Sequence, residues 1–301
     1  MQIGFVGTGN IGQPMARRLL DTGHTLWVND LRAELLAPLV AQGARAASLA
    51  DIGACCDAVM LSLPSGQALR DVLAPAAGLT GGARLRYVVN TSTVGGPLVR
   101  ELAALLQDYG QVLVDCPISG GPARALEGRL AVMVSGDPAA VAELRGPLEA
   151  WGALTVAGDR PGAAQLLKLT NNILSIVSMA ASAEAMVLGA KGGLDPEVML
   201  AAINGATGRS GATEEKVPNY VLTGSFRMGS ALSITLKDGA LALAEAEALG
   251  VPMTVCQAAR EAFRRVAAAV GEEADTMSIY RAAEEAAGFA VPRTRAAAAG
   301  Q

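Results

Sequence analysis

The sequence predicts a doubly wound α/β domain with a parallel sheet, followed by an all-α domain. Three observations carry that prediction. Short apolar runs alternate with helical patterns from residue 3 to about residue 158. A glycine-rich turn joins the first run to the first helical pattern. After Gly158-Asp159-Arg160-Pro161-Gly162 the chain becomes Ala/Leu-rich with helical spacing and few β-branched runs. The expected division is therefore 1–161 and 162–301. A chain of 301 residues with 51% hydrophobic content can bury two cores.

The expected strands are Ile3–Gly7, Thr25–Asn29, Ala58–Leu63, Tyr87–Asn90, Val112–Cys116, Leu130–Ser135 and Leu154–Val156, each a short apolar run ended by polar residues or glycine. Between them, helical patterns cover Ile11–Leu20, Ala33–Ala41, Gly66–Leu73, Pro97–Tyr109 and Pro138–Ala150. In the second half a long apolar helix is expected over Gln165–Gly189, with Leu166, Leu169, Ile173 and Val177 as its inward stripe. Further helices are expected at Pro196–Asn204, Thr213–Leu222, Ser233–Leu249, Pro252–Val270 and Met277–Ala287, then a frayed tail at Val291–Gln301. No internal repeat is visible.

Composition narrows the partners. A net charge of -4 and 3% aromatic residues supply neither the basic field nor the stacking platform of a nucleic-acid binder. The apolar stretch Leu166–Ala190 is broken by Lys168, Asn171, Asn172 and Glu184, so a buried helix explains it better than a membrane span. Strand pattern from Ile3 leaves no room for a signal peptide, and Cys55, Cys56, Cys116 and Cys256 show no C-x-x-C spacing; a reducing cytoplasm is expected. His24 is the only histidine and falls in a turn, which excludes a histidine metal cluster, and no metal is expected. Proton transfer then falls to a lysine, carboxylate, tyrosine or cysteine.

Gly7-Thr8-Gly9-Asn10-Ile11-Gly12 has the spacing of a dinucleotide-binding turn. Gly7 permits the turn, Gly9 lets backbone amides approach a pyrophosphate, and Gly12 lets the helix pack on the strand. The helix amino terminus then offers free N–H groups to the phosphates. Asp30, at the end of the second strand, sits where a carboxylate accepts hydrogen bonds from the adenosine ribose hydroxyls and repels a 2′-phosphate. That favours NAD; Arg32, two positions on, keeps NADP as the alternative.

Only four of the 24 basic residues are lysine. Arginine cannot lose its proton in a protein, whereas a desolvated lysine can approach neutrality near pH 7, so a retained lysine invites a specific reason. Lys168 and Asn172 are four apart on the long helix, hence on one face, and Ser175 and Met179 continue that face. Ser119-Gly120-Gly121, after a strand, exposes backbone N–H groups and a hydroxyl suited to a carboxylate. Thr93 and Leu63-Pro64 lie at two other strand ends, and Lys237 heads Lys237–Ala244.

Four segments in this order resemble the β-hydroxyacid dehydrogenase family: Gly4–Ala16, Asp115-Cys116-Pro117-Ile118-Ser119-Gly120-Gly121, Gly158–Gly162 through Lys168-Leu169-Thr170-Asn171-Asn172, and Lys237-Asp238 through Ala244. The resemblance spans nearly the whole chain. It implies an α/β Rossmann amino-terminal domain, a helical domain that supports a homodimer or homotetramer, and NAD(P)-linked oxidation of small 3-hydroxy acids. It further implies that Lys168 exchanges a proton with the reacting oxygen, and that Asn172 and Ser119-Gly120-Gly121 bind substrate. Thr93 and Lys237 would contact nicotinamide or substrate, and Leu63-Pro64 would lie against the cofactor. For such a role the Lys168 pKa should lie below its unperturbed value of about 10.4.

The family pattern commonly has a glycine at Ala164 and an alanine at Cys116. Arg124 and Arg209 fall in variable regions and are candidates for recognising a second anionic or hydroxyl-bearing part of the substrate. The competing activity is an NADPH-dependent reductase of glyoxylate or succinic semialdehyde. A non-catalytic dinucleotide-sensing module would need the glycine turn and Asp30 but not Lys168, Asn172 and Ser119 together.

Overall fold

A computed structural model describes residues 1–295. Residues 1–168 and 169–301 form two compact units, and the division falls inside one helix.

In the first unit, β1 (Gln2–Val6), α1 (Gly12–Asp21), β2 (Thr25–Asn29), α2 (Ala37–Val40) and β3 (Arg45–Ala46) lead into α3 (Leu49–Cys55) and β4 (Ala58–Leu61). Then come α4 (Gly66–Leu73), β5 (Tyr87–Asn90), α5 (Gly96–Gln107) and β6 (Val112–Asp115). The unit closes with β7 (Ile118–Ser119), α6 (Gly121–Leu126), β8 (Leu130–Ser135), α7 (Pro138–Glu149) and β9 (Gly152–Gly158).

Six strands run parallel in the order β3-β2-β1-β4-β5-β6. The order reverses between β1 and β4, which makes the carboxyl ends of those strands the place where such sheets hold ligands. Side-chain alternation loads both faces. Ile3, Phe5, Val28 and Met60 pack with Met15, Leu19 and Leu144 on one side, while Val6, Val59, Leu61 and Val88 pack with Ile52, Leu69 and Leu102 on the other.

The fully parallel sheet expected from the sequence holds only as far as β6. β8 runs antiparallel to β6 through Asp115 and Ser135, and β7 runs antiparallel to β8; only β9 returns parallel, after α7. The chain turns directly after β6 at Pro117, which lacks a ladder N–H, without the crossover that a parallel neighbour needs. The single helix expected over Ala33–Ala41 is instead a 3₁₀ turn, Ala33–Leu35, followed by α2, with Pro38 in the first turn of α2. Proline has no N–H to bond backward, so the earlier turn cannot continue through it.

α8 (Ala163–Lys191) leaves the first unit and enters the second. It is followed by α9 (Pro196–Gly205), a π-helical segment (Ala212–Val221), α10 (Leu232–Ala248), α11 (Thr254–Val270) and α12 (Ser278–Ala287). By length and composition α8 would cross a membrane, but much of it is core. Leu169, Ile173, Ile176, Met179, Ala183 and Met186 are buried with Val217, Leu236, Phe263 and Tyr280. Leu166, expected on that inward stripe, is 41% exposed, whereas Ile176 takes a buried place.

The end of the described chain is tied down rather than frayed. Val291 is buried, Arg293 forks onto Glu284, and Arg295 forks onto Glu197. Bidentate guanidinium–carboxylate pairs hold geometry where a single contact would not. Residues 296–301 of the expected tail lie outside the described residues.

Candidate active site

Between β1 and α1, Gly7 takes φ +91°, and a Cβ there would lie 2.2 Å from the Ser62 carbonyl oxygen. A Cβ on Gly12 would come within 1.9 Å of the Gly7 carbonyl. Both positions therefore require glycine. Gly9 differs, since only an Arg32 nitrogen comes within 4 Å of its missing side chain. Asn10 is exposed, Ile11 is half-buried, and no side chain caps the first turn of α1. An open glycine beside an uncapped helix amino terminus fits a pyrophosphate, so the turn suits the dinucleotide.

Asp30 braces this turn. Its Oδ2 accepts from the Thr8 N–H at 2.7 Å and from the Thr8 hydroxyl at 3.3 Å, while Oδ1 accepts from the Arg32 N–H at 2.9 Å. The Arg32 Nε also stands 3.9 Å from Oδ1. The acid thus shapes the loop. Leu63 and Pro64 follow β4, and the Leu63 N–H donates to Ser92 Oγ at 2.9 Å. A Cβ at Gly7 would meet Leu63 Cδ2 at 3.1 Å, so Leu63 borders the glycine turn. Thr93 is half-buried in the loop after β5.

Ser119 ends β7, and Gly120-Gly121 open α6. Ser119 is half-buried, both glycines are exposed, and a side chain at Gly121 would meet nothing within 4 Å. The backbone there is open to a ligand.

No pattern in the residues marks how firmly the first turn of α8 is anchored. Its leading N–H groups find side-chain acceptors on the sheet: Ala164 donates to Ser135 Oγ at 2.9 Å and Gln165 to Asp115 Oδ2 at 3.1 Å. The Gln165 side chain donates to Asp115 Oδ1 at 2.7 Å and to the Ser92 carbonyl, while its own oxygen accepts from the Val94 and Gly95 N–H groups. Asn90 donates to Asp115 as well. Burial pushes the Asp115 carboxyl up to about 7, opposed by hydrogen bonds from Gln165, Asn90 and Gly162. Lys168, one turn after this anchor, is buried at 7% exposure.

In the second unit Asn172 and Lys237 meet through a residue that spacing alone did not single out. Asn172 Nδ2 donates to Asp238 Oδ2 at 2.7 Å, and Lys237 Nζ stands 2.8 Å from Asp238 Oδ1. Asp238 is buried and Lys237 is half-exposed. Lys237 lies in the second turn of α10, which begins at Leu232, one residue before the helix start expected at Ser233.

Comparison with known proteins fits this arrangement. Residues 2–158 match the model described as the NAD binding domain of 6-phosphogluconate dehydrogenase. Residues 162–283 match that of the NAD-binding of NADP-dependent 3-hydroxyisobutyrate dehydrogenase. The chain is 32% identical over 294 residues to 2-(hydroxymethyl)glutarate dehydrogenase of Eubacterium barkeri, covering 97% of each protein. The chain belongs to the β-hydroxyacid dehydrogenase family.

Solved structures agree. Mycobacterium tuberculosis 3-hydroxyisobutyrate dehydrogenase with L-serine superposes at TM-score 0.84 with 28% identity, over 93% of this chain and 98% of that one. A protein named Psf3, solved with NADP+ and 2-OPP, superposes at TM-score 0.81 with 30% identity, over 93% and 99%. This β-hydroxyacid dehydrogenase is accordingly an NAD(P)-linked oxidoreductase for small hydroxy acids. The structure adds contacts that sequence patterns pass over. Ser135, Asp115 and Gln165 bond the first turn of α8 to the sheet, and Asp238 bonds Asn172 and stands beside Lys237; Asp238 is one of three acids in α10, so its residue type alone did not set it apart.

Proposed function

We propose that the enzyme interconverts a small 3-hydroxy acid and its semialdehyde, with Lys168 exchanging the proton of the reacting oxygen. Bound nicotinamide supplies the hydride acceptor or donor. Lys168 protonates the oxygen during reduction and takes its proton during oxidation. Asn172 spends one amide hydrogen on Asp238 and directs the other at the same oxygen. Ser119, Gly120 and Gly121 receive the substrate carboxylate, and Thr93 and Lys237 contact nicotinamide ribose or substrate. Gly7, Thr8, Gly9, Asn10, Ile11 and Gly12 hold the pyrophosphate, Asp30 the adenosine ribose, and Leu63-Pro64 the cofactor's flank.

The observation that carries this reading is the buried amine of Lys168, set one turn beyond an α8 terminus bonded to the sheet. A rigid support is what a proton donor needs if it is to meet one atom of a substrate. Monitoring nicotinamide absorbance against a panel of small hydroxy acids and aldehydes tests it. Absence of turnover across the panel with both cofactors would sink the reading.

We favour NAD, because the Asp30 carboxylate repels a 2′-phosphate. The NADPH-dependent reductase of glyoxylate or succinic semialdehyde stands second, supported by Arg32 beside Gly9. Parallel titrations with NADH and NADPH separate them. We also propose a homodimer or homotetramer, supported by Leu174 and Leu188 on α8, which are 62% and 77% exposed. Sedimentation across a dilution series tests that.

A further inference from the structure

Lys216 is one of four lysines, and neither the sequence motifs nor the proposed mechanism uses it. It lies in the π-helical segment Ala212–Val221, whose Val217, Pro218 and Val221 are buried. π-helical winding is rare and is frequently found at functional sites. Here the winding brings the Lys216 amine onto α8, where it donates to Ser175 Oγ at 2.7 Å. Among the described residues no carboxylate forms an ion pair with it. Burial lowers its pKa, and the neighbouring Glu215 partly offsets that.

A half-buried ammonium answered only by a hydroxyl leaves most of its desolvation cost unmet, and an anion would offset that cost. Its position is specific. Ser175 follows Asn172 by three residues and Lys168 by seven, so all three share one face of α8. The amine at Ser175 therefore sits three residues, about 4.5 Å of helix rise, beyond the amide proposed to hold the reacting oxygen. One cation and one hydroxyl suit a singly charged acid group better than a phosphate dianion. Of the two arginines expected for such a role, Arg124 and Arg209, the latter is mostly exposed and lies 3.8 Å from Glu214.

We infer that Lys216 and Ser175 form a subsite for a second, singly charged acid group of the substrate, a carboxylate or sulfonate distal to the 3-hydroxyl. The inference rests on the proposed placement of the reacting oxygen at Lys168 and Asn172. It makes the preferred substrate a small hydroxy acid with an acid at each end.

Calorimetry on the NAD-bound enzyme tests this with three unreactive probes: glutarate, 4-sulfobutyrate and butyrate. Wild type should bind one of the first two at least about tenfold more tightly than butyrate, a difference of about 1.4 kcal/mol. The tighter of the two identifies the acid group. Lys216→Met should abolish that preference while leaving butyrate affinity within about twofold, and Lys216→Arg should restore part of it. Unchanged melting temperatures would show that both variants fold. Equal loss of affinity for all three probes in Lys216→Met, or no preference in wild type, overturns the subsite. Turnover of monocarboxylic hydroxy acids would still stand in either case, so failure here is separable from failure of the proposed reaction. If no hydroxy acid is turned over at all, both fall.

Discussion

The candidate groups in the two units are of different kinds. In residues 1–168 they are mostly backbone: the open turn at Gly9, the uncapped start of α1, and the bare stretch at Gly120-Gly121. In residues 169–301 they are side chains held by other side chains, with Asp238 between Asn172 and Lys237, and Ser175 under Lys216. A backbone site depends on which residues lack a side chain and is resistant to single polar substitutions. A side-chain site depends on partners far away in sequence and can be retuned one residue at a time.

Lys168 stands at the junction of these two modes and should show the largest effect. Lys168→Ala is expected to lower turnover by about 10²- to 10⁴-fold, the usual worth of positioned acid–base catalysis, with NADH affinity nearly unchanged by fluorescence titration. Lys168→Arg should fail as well, because arginine cannot release the proton. Retained turnover in the arginine variant would remove Lys168 from proton transfer.

Asp115 tests whether the first unit's rigidity rests on one buried acid. Asp115→Ala leaves the Gln165 and Asn90 donors without their acceptor and should cost about 3 kcal/mol or more of stability, read by denaturant unfolding. The pH dependence follows from its raised pKa. The folded carboxyl keeps its proton to about 7, whereas the ordinary value is 3.8. The folded state therefore binds more protons between those values. Stability from this group is complete at the acid end and falls as pH rises through that window. Asp115→Asn should flatten that slope in melting curves; an unchanged slope would assign it to other groups.

Asp238 provides the contrasting test. Asp238→Ala should release both Asn172 and Lys237, lowering kcat/KM by about tenfold if one oriented hydrogen bond is lost in the transition state. If it costs as much stability as Asp115→Ala, the distinction between a structural anchor in one unit and a functional brace in the other breaks down. The smallest effect is expected at Arg32. Arg32→Ala should shift the NADH-to-NADPH preference by several-fold toward NADH, a change of about 1 kcal/mol in one exposed phosphate contact.

The same contrast explains what the sequence revealed. Strands β1, β2, β4, β5 and β6 were legible because each is a short apolar run closed by polar residues or glycine, whereas the two-residue β3, Arg45–Ala46, was not; the glycine turn was legible because its chemistry is local. Ser119, Lys168, Asn172 and Lys237 were singled out because they fall in contiguous segments with a family pattern. The bracing residues were not. Asp115 and Gln165 lie fifty positions apart, and Lys216 reaches Ser175 across 41. No periodicity encodes such meetings; they follow from how helices pack. The antiparallel β8 escaped for a related reason, because an apolar run reads alike in either direction.

Cys116 follows Asp115 directly and is fully buried, and burial pushes its thiol well above the usual cysteine range. Protonated and enclosed, it is closed to alkylating agents while β6 and its neighbours stay shut. That gives the enzyme a native clock for local opening. The rate at which a small thiol reagent reaches Cys116, compared with half-exposed Cys55 and Cys256, would report how often the support beneath α8 loosens and whether a bound dinucleotide slows it.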